Sequence, residues 1–175
     1  GVYVQAISAY APHPNAAKLW MEYLYSDEGQ LGWLAGYCHP ARFNAMVEAD
    51  HRPGIGKTLD IRLASAEDGR VVLEASPDVN VYNPMGTVHG GFVATMLDFA
   101  CGYAVLSKLA SGQSFTTIEL KISYHRAITR ETGAVRAEGQ VITSGRRVAF
   151  TEARLLDAQG KVYATATSSL LILSS

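Results

Sequence analysis

The sequence predicts an α+β fold: an antiparallel β-sheet wrapped around one long central helix, preceded by a helical appendage. Two changes of pattern and one set of turns lead to it. Over roughly the first fifty residues the apolar positions recur at helical spacing, whereas from about residue 57 the period falls to two. A single stretch, Gly90 to Ser107, breaks the period-two region and is apolar or small on almost every side, as in a helix buried all round. After it, short turn sequences such as Ser144-Gly145-Arg146 and Asp157-Ala158-Gln159-Gly160 separate alternating segments, which reads as a run of antiparallel strands.

In the appendage, Leu19, Trp20, Tyr23 and Leu24 share helical spacing, with Pro14-Asn15 as the start and Asn15 as the cap. Ser26-Asp27-Glu28-Gly29-Gln30 opens a second short helix running to about Leu34, and residues 41–49 form a third before the Arg52-Pro53-Gly54 break. Thr58 to Ser65 and Arg70 to Ser76 follow as strands around the turn Glu67-Asp68-Gly69. Asn83-Pro84-Met85-Gly86 marks a tight turn ahead of the helix, which is expected over residues 90–109.

The next strand has the clearest alternation in the chain. Thr116, Ile118, Leu120, Ile122 and Tyr124 are expected on one face, and Thr117, Glu119, Lys121, Ser123 and His125 on the other. Residues 134–143, 147–156 and 161–173 complete the sheet. One helix covers only one side of itself with that sheet. An all-round apolar helix therefore needs a second cover, and a second copy of the chain is the simplest one.

Composition narrows the function classes. The chain has 175 residues, 48% hydrophobic and 18% charged, an ordinary globular balance that allows one domain plus an appendage. A formal net charge of −1 gives no electrostatic support for nucleic-acid or polybasic membrane binding. Cys38 and Cys101 have no metal-ligand spacing and are too few for a disulfide framework; Cys101 reads as a small core residue. Gly1-Val2-Tyr3 has neither a basic start nor a long apolar run after it, and Asp98 interrupts the one candidate membrane span, so the expected location is the cytoplasm.

Asp98 is the only charged residue between Gly90 and Ser107. A carboxylate there is costly unless it is paired, hydrogen-bonded or used. The bland alternative is a carboxylate bonded to Thr95 or to a neighbouring strand. The residues just before the helix favour use. Gly90 and Gly91 stand where backbone N–H groups lack intrahelical partners and where the helix dipole favours negative charge, which suits a carbonyl oxygen that becomes an oxyanion. His89 is placed to cap the helix or to bond the same carbonyl, and Asn83 to hold a turn or to position a water or leaving group. Gly90 and Asp98 lie about 12 Å apart along one helix at ~1.5 Å per residue. They can serve one carbonyl only if a second helix runs antiparallel to the first, so the expected site is composite: Asn83, His89 and Gly90 from one subunit, Asp98 from the other.

The segment Asn83-Pro84-Met85-Gly86-Thr87-Val88-His89-Gly90-Gly91, followed by Asp98 in an apolar helix, resembles the hotdog-fold acyl-CoA thioesterases of the phenylacetyl-CoA thioesterase type. Thr117-Ile118-Glu119-Leu120-Lys121-Ile122-Ser123-Tyr124, Gly145-Arg146-Arg147 and Asp157-Ala158-Gln159-Gly160-Lys161 extend the likeness over residues 52–173. The resemblance implies Asp98 as general base or nucleophile, the Gly90 N–H as oxyanion donor, Asn83 and His89 as orienting groups, and Thr117 (with Thr116 next) as the assisting hydroxyl. It also implies a dimer or tetramer and a coenzyme A thioester as substrate. Gly91, Arg146 and Arg147 are the candidate contacts to coenzyme A, arginine being suited to phosphate; the alternative for both arginines is ordinary turn charge, and His125 and Arg126 have the same standing.

No metal or redox cofactor is expected, because water, a base and an oxyanion hole suffice. Residues 1–50 form a separate unit. Ala11-Pro12-His13-Pro14-Asn15-Ala16-Ala17-Lys18-Leu19-Trp20 and Ser26-Asp27-Glu28-Gly29-Gln30 resemble a C-terminal helical stretch of periplasmic solute-binding proteins of the iron or polyamine uptake kind. That stretch lacks the two lobes needed to capture a solute. Two further readings of residues 51–175 stand beside hydrolysis: a non-catalytic acyl-CoA-binding or sensor domain, and a hydratase or dehydratase. The latter needs a second acid or histidine near Asp98, and the sequence offers none in a suitable place.

Overall fold

In a computed structural model of the chain, the structure describes residues 14–24, 26 and 54–174. Helix α1 spans Pro14–Leu24. Proline suits its first turn, where an N–H would have no partner, and the Ser26 hydroxyl and N–H both bond the Tyr23 carbonyl at its end. Leu19 and Tyr23 stand exposed. The helices expected over residues 26–34 and 41–49 lie outside the described residues, as does Cys38.

The period-two region begins later than the sequence suggests. Gly54–Thr58 forms a short helix, α2, and the chain reverses through Asp60 at φ 51 before strand β1 starts at Arg62. The Ile61 N–H bonds the Gly56 carbonyl, and Ile61 is buried. Residues 58–61 thus turn the chain into the sheet instead of extending it. The strands are β1 Arg62–Glu67, β2 Arg70–Ala75, β3 Gln113–Tyr124, β4 Val135–Ser144, β5 Val148–Asp157 and β6 Val162–Ser174. The last three agree with the alternation to within a residue. The turn between β5 and β6 is built by Asp157, whose carboxylate accepts the Lys161 and Gln159 N–H groups. These bonds, Lys161's first, hold that carboxyl below the usual range.

All strand pairs are antiparallel, in the order β1-β2-β4-β5-β6-β3. The long helix α3, Gly90–Leu106, explains this order. It carries the chain from the β1–β2 hairpin across the sheet to the far edge, where β3 begins. The β4–β5–β6 meander then fills the gap between the two. β3 therefore pairs with β6 and not with β4, its neighbour in sequence.

The core lies between α3 and the sheet, with Met96, Leu97, Ala100 and Cys101 meeting Leu73, Ala137 and Leu155. Small residues bring the two layers close. A Cβ added at Gly139 in β4 would stand 2.3 Å from the Ala100 carbonyl oxygen on α3. The helix is not buried all round, however. Gly91 is exposed and Ala94, Thr95, Asp98, Phe99, Tyr103 and Leu106 are only half-buried, one stripe at helical spacing that the other described residues leave partly uncovered. Helix α3 also ends at Leu106, short of residue 109, with Ser107 as its cap.

Cys101 is fully buried, as expected of a core residue. Burial pushes its thiol up to about 11, with the charges of Asp98 and Glu152 adding to the rise and a hydrogen bond with Thr151 opposing it. Because the folded thiol titrates above the unfolded one, the stability of its neutral form is intact at pH 8 and is lost as pH rises toward 11. A thiol at about 11 has about a hundredfold less thiolate at pH 8 than an ordinary one. The Cys101 peptide should therefore resist iodoacetamide in the native protein and be alkylated in urea, as read by peptide mass spectrometry.

Candidate active site

The chain reaches the start of α3 through a pinned loop. Asn83 Oδ1 accepts the N–H groups of Met85 (3.0 Å) and Thr87 (3.2 Å), and its Nδ2 donates to Thr87 Oγ1 (2.8 Å). The amide is thus engaged within its own turn. Val88 N–H then bonds the Ile128 carbonyl and His89 N–H the Val81 carbonyl, which fixes the entry to the helix.

His89 caps α3 with its side chain. Its Nδ1 accepts the Gly91 N–H at 2.9 Å. In the neutral ring the hydrogen then sits on Nε2, which remains a donor. Of the two glycine N–H groups singled out in the sequence, Gly91's is occupied. Gly90's, the first in the helix, has no acceptor among the described residues. Gly90 itself lines a hollow of about 340 Å³ whose walls include Val88, Val93, Tyr124, His125 and Ile128.

Asp98 lies two turns further along α3, half-buried on the uncovered stripe. Thr117 on β3 donates its hydroxyl to Asp98 Oδ1 at 3.0 Å. Oδ2 has no hydrogen bond among the described residues. Of the two partners that the bland reading offered, Thr95 bonds the Gly91 carbonyl instead, and the neighbouring strand supplies the bond through Thr117.

Thr117 reaches Asp98 because of a β-bulge. The pairing of β3 with β6 shifts register between Thr117 and Glu119, leaving Ile118 unopposed. The bulge reverses the face of the strand. Phe115 and Thr117 turn toward the helix along with Leu120 and Ile122, while Thr116 and Ile118 turn outward. The face assignment drawn from strict alternation is therefore wrong on the N-terminal side of the bulge. Ser168 on β6, a residue that sequence reasoning passed over, donates its hydroxyl to the bulge carbonyl of Glu119 at 2.7 Å. Tyr124 was also passed over: its hydroxyl donates to the Gly90 carbonyl at 2.9 Å.

The structure separates the remaining candidates. β3 runs antiparallel to α3, so Tyr124 meets Gly90 at one end and Thr117 meets Asp98 further along. Arg146 and Arg147 lie exposed in the β4–β5 turn, where Arg147 bonds Ile172 beyond the level of Thr117. Within one chain they are at the far end of the sheet from Gly90. Among the described residues no group of three His, Cys, Asp or Glu side chains is placed to hold a metal ion, and no helix is long and apolar enough to cross a membrane.

Comparison with known proteins matches residues 85–164 to the thioesterase superfamily, a span that begins inside the pinned loop, after Asn83, and holds all of α3 and the Asp98–Thr117 pair. A protein of Saccharolobus solfataricus named as an esterase is 32% identical over 119 residues, which cover 68% of this chain and 83% of that one. The chain belongs to the thioesterase superfamily. Human acyl-coenzyme A thioesterase 13 is 30% identical over 105 residues, covering 59% of this chain and 74% of that protein. A Ralstonia eutropha thioesterase related to phenylacetic acid degradation superposes with a TM-score of 0.66 at 26% identity, over 74% of this chain and 98% of its own. This thioesterase has the hotdog fold, its six-stranded antiparallel sheet packed against α3, and it is an enzyme that hydrolyses thioesters.

Proposed function

We propose that the chain hydrolyses a coenzyme A thioester of a small acyl or aryl acid, at a site shared across a two-fold interface between α3 helices. The observation that carries this reading is the pairing of Asp98 with Thr117 on the stripe of α3 that the other described residues leave partly open. A carboxylate with one oxygen held and one free is suited to take a proton from water or to attack a carbonyl carbon. The free Gly90 N–H, at the positive end of the helix, is suited to the oxyanion.

The ~12 Å between these groups along one helix is bridged when the partner's α3 runs antiparallel to this one, setting Asp98 of the partner subunit beside Gly90. The stacked rings of Phe99 and Tyr103, with centroids 5.4 Å apart, lie on the same stripe and supply apolar area for the interface and the acyl group. Asn83 acts through the loop it pins, and His89 offers Nε2–H to the substrate. Coenzyme A names on relatives, and the phenylacetic-acid relative in particular, support the choice of thioester. Residues 51–175 carry this activity, and residues 1–50 are an appendage to it.

Thiol release from a panel of short, medium, long and aromatic acyl-CoAs tests the reading. Hydrolysis of at least one class at an enzymatic rate, by a protein that sediments as a dimer or larger, is the expected result. Binding of the esters with no release of thiol would overturn it. Thr117→Val keeps the volume of the side chain and removes the bond to Asp98. Turnover should fall about tenfold, the equivalent of one hydrogen bond of ~1.4 kcal/mol, with little change in melting temperature.

A further inference from the structure

We infer that Tyr124 is a positioning residue of the thioesterase, holding the first peptides of α3 so that the Gly90 N–H stays aimed into the hollow. This rests on the proposed role of that N–H as the oxyanion donor. The peptide between Gly90 and Gly91 is gripped at both ends. Its carbonyl oxygen accepts the Tyr124 hydroxyl at 2.9 Å, and its N–H donates to His89 Nδ1 at 2.9 Å. The next carbonyl back, that of His89, accepts the Phe92 N–H. With these groups occupied, the Gly90 N–H is a backbone donor at the helix start with no acceptor among the described residues, left beside the His89 Nε2–H to face a ligand.

The tyrosine is well placed for this task. It is the last residue of β3, with a backbone fixed by pairing to Ala164 on β6, and its ring and hydroxyl lie 3.3–3.5 Å from where a Gly90 side chain would begin. Yet the ring is more than half exposed and forms part of the wall of the hollow. A residue that served only to pack the fold would bury its ring. Here the tyrosine fixes the geometry of a peptide instead. The bond spans strand and helix, so it sets the helix start against the sheet, and a start of two glycines has no side chain of its own to do this. Misplacement of an oxyanion donor by a fraction of an ångström weakens its bond to the transition state far more than its bond to the ground state. The loss therefore falls on kcat and leaves KM.

Steady-state hydrolysis of the best acyl-CoA by the full chain tests the inference, with Tyr124→Phe, Tyr124→Leu and Asp98→Asn beside the parent. Tyr124→Phe keeps the ring and removes the hydroxyl. The expected result is a kcat lower by roughly ten- to a hundredfold, KM within about twofold and an unchanged melting temperature. Tyr124→Leu should be no worse than Tyr124→Phe, because the hydroxyl and not the ring does the positioning. An unchanged kcat in Tyr124→Phe, with Asp98→Asn inactive, would overturn the role of Tyr124 and leave the site itself standing. A raised KM at constant kcat would also overturn it, since the tyrosine would then be a substrate contact. Parent-like activity in Asp98→Asn would remove the proposed site, and this inference with it.

Discussion

Asp98→Asn is expected to lower thioester turnover by about a thousandfold, within the 10²–10⁴ range for loss of a general base, while leaving fold and assembly intact. The change is close to isosteric, and its amide oxygen still accepts the Thr117 hydroxyl that now bonds Oδ1 at 3.0 Å. What is lost is the capacity to take a proton or to attack a carbonyl. A thousandfold loss corresponds to about 4 kcal/mol of transition-state stabilisation, too much for a side chain that only orients water. KM should change little, because the carboxylate is not needed to bind the ester. Retention of more than a tenth of the parent's kcat would show that the proton goes elsewhere and that the acid on this stripe is structural. A single turnover of the parent in heavy-oxygen water identifies Asp98 as the nucleophile when its own carboxylate gains the label. As nucleophile it forms an anhydride with the acyl group and expels the thiolate, and water then cleaves the anhydride, leaving heavy oxygen in the carboxylate of Asp98 or in the product acid. As base it never carries the label, which appears only in the product.

The reach of the sequence and its limits are both visible around this residue. The helix was legible because an apolar run of that length with a single carboxylate has few other readings, and the strands after it because their alternation and turns are regular. The pattern of α3 also hides something. A stripe that the other described residues leave partly open carries Phe99 and Tyr103, so it reads as core, and only the fold reveals which side the sheet covers. The bulge at Ile118 was not legible at all. No glycine marks it, Ile118 keeps the apolar alternation going, and the register shift arises from pairing with β6 and the Ser168 bond. Thr117 was singled out through resemblance to a family while alternation put it on the wrong face; the bulge removes that conflict. Asn83 shows the opposite limit. Its type and place beside Pro84 suit a turn and a substrate contact equally, and in the structure its oxygen and one of its two N–H donors bond within the turn.

The largest stability effect is expected at Gly139, a position that no motif points to. It lies inside β4, where glycine normally weakens a strand, and replacement by alanine there should gain a few tenths to about 1 kcal/mol from backbone entropy alone. The structure predicts the opposite sign. The new Cβ would meet the Ala100 carbonyl oxygen at 2.3 Å and its carbon at 2.5 Å, and both are backbone atoms in the middle of a helix. No rotamer change relieves this contact. Either β4 bows away from α3 or the helix lifts, and lifting opens the layer where Met96, Leu97 and Cys101 are fully buried. Overpacking of this kind costs about 1–3 kcal/mol, and a backbone clash belongs at the upper end, which is a fall on the order of 10 °C in melting temperature. Activity should fall with it even below the transition, because a lifted α3 draws Asp98 away from Thr117. Ala100→Gly supplies the decisive control. It removes the Ala100 Cβ, which would lie 3.0 Å from the new methyl, but leaves the carbonyl in place. The double variant should therefore stay nearly as unstable as Gly139→Ala. Recovery of the parent's melting temperature in the double variant would locate the conflict in side chains, and a Gly139→Ala protein that melts with the parent would mean that the helix does not approach the sheet this closely.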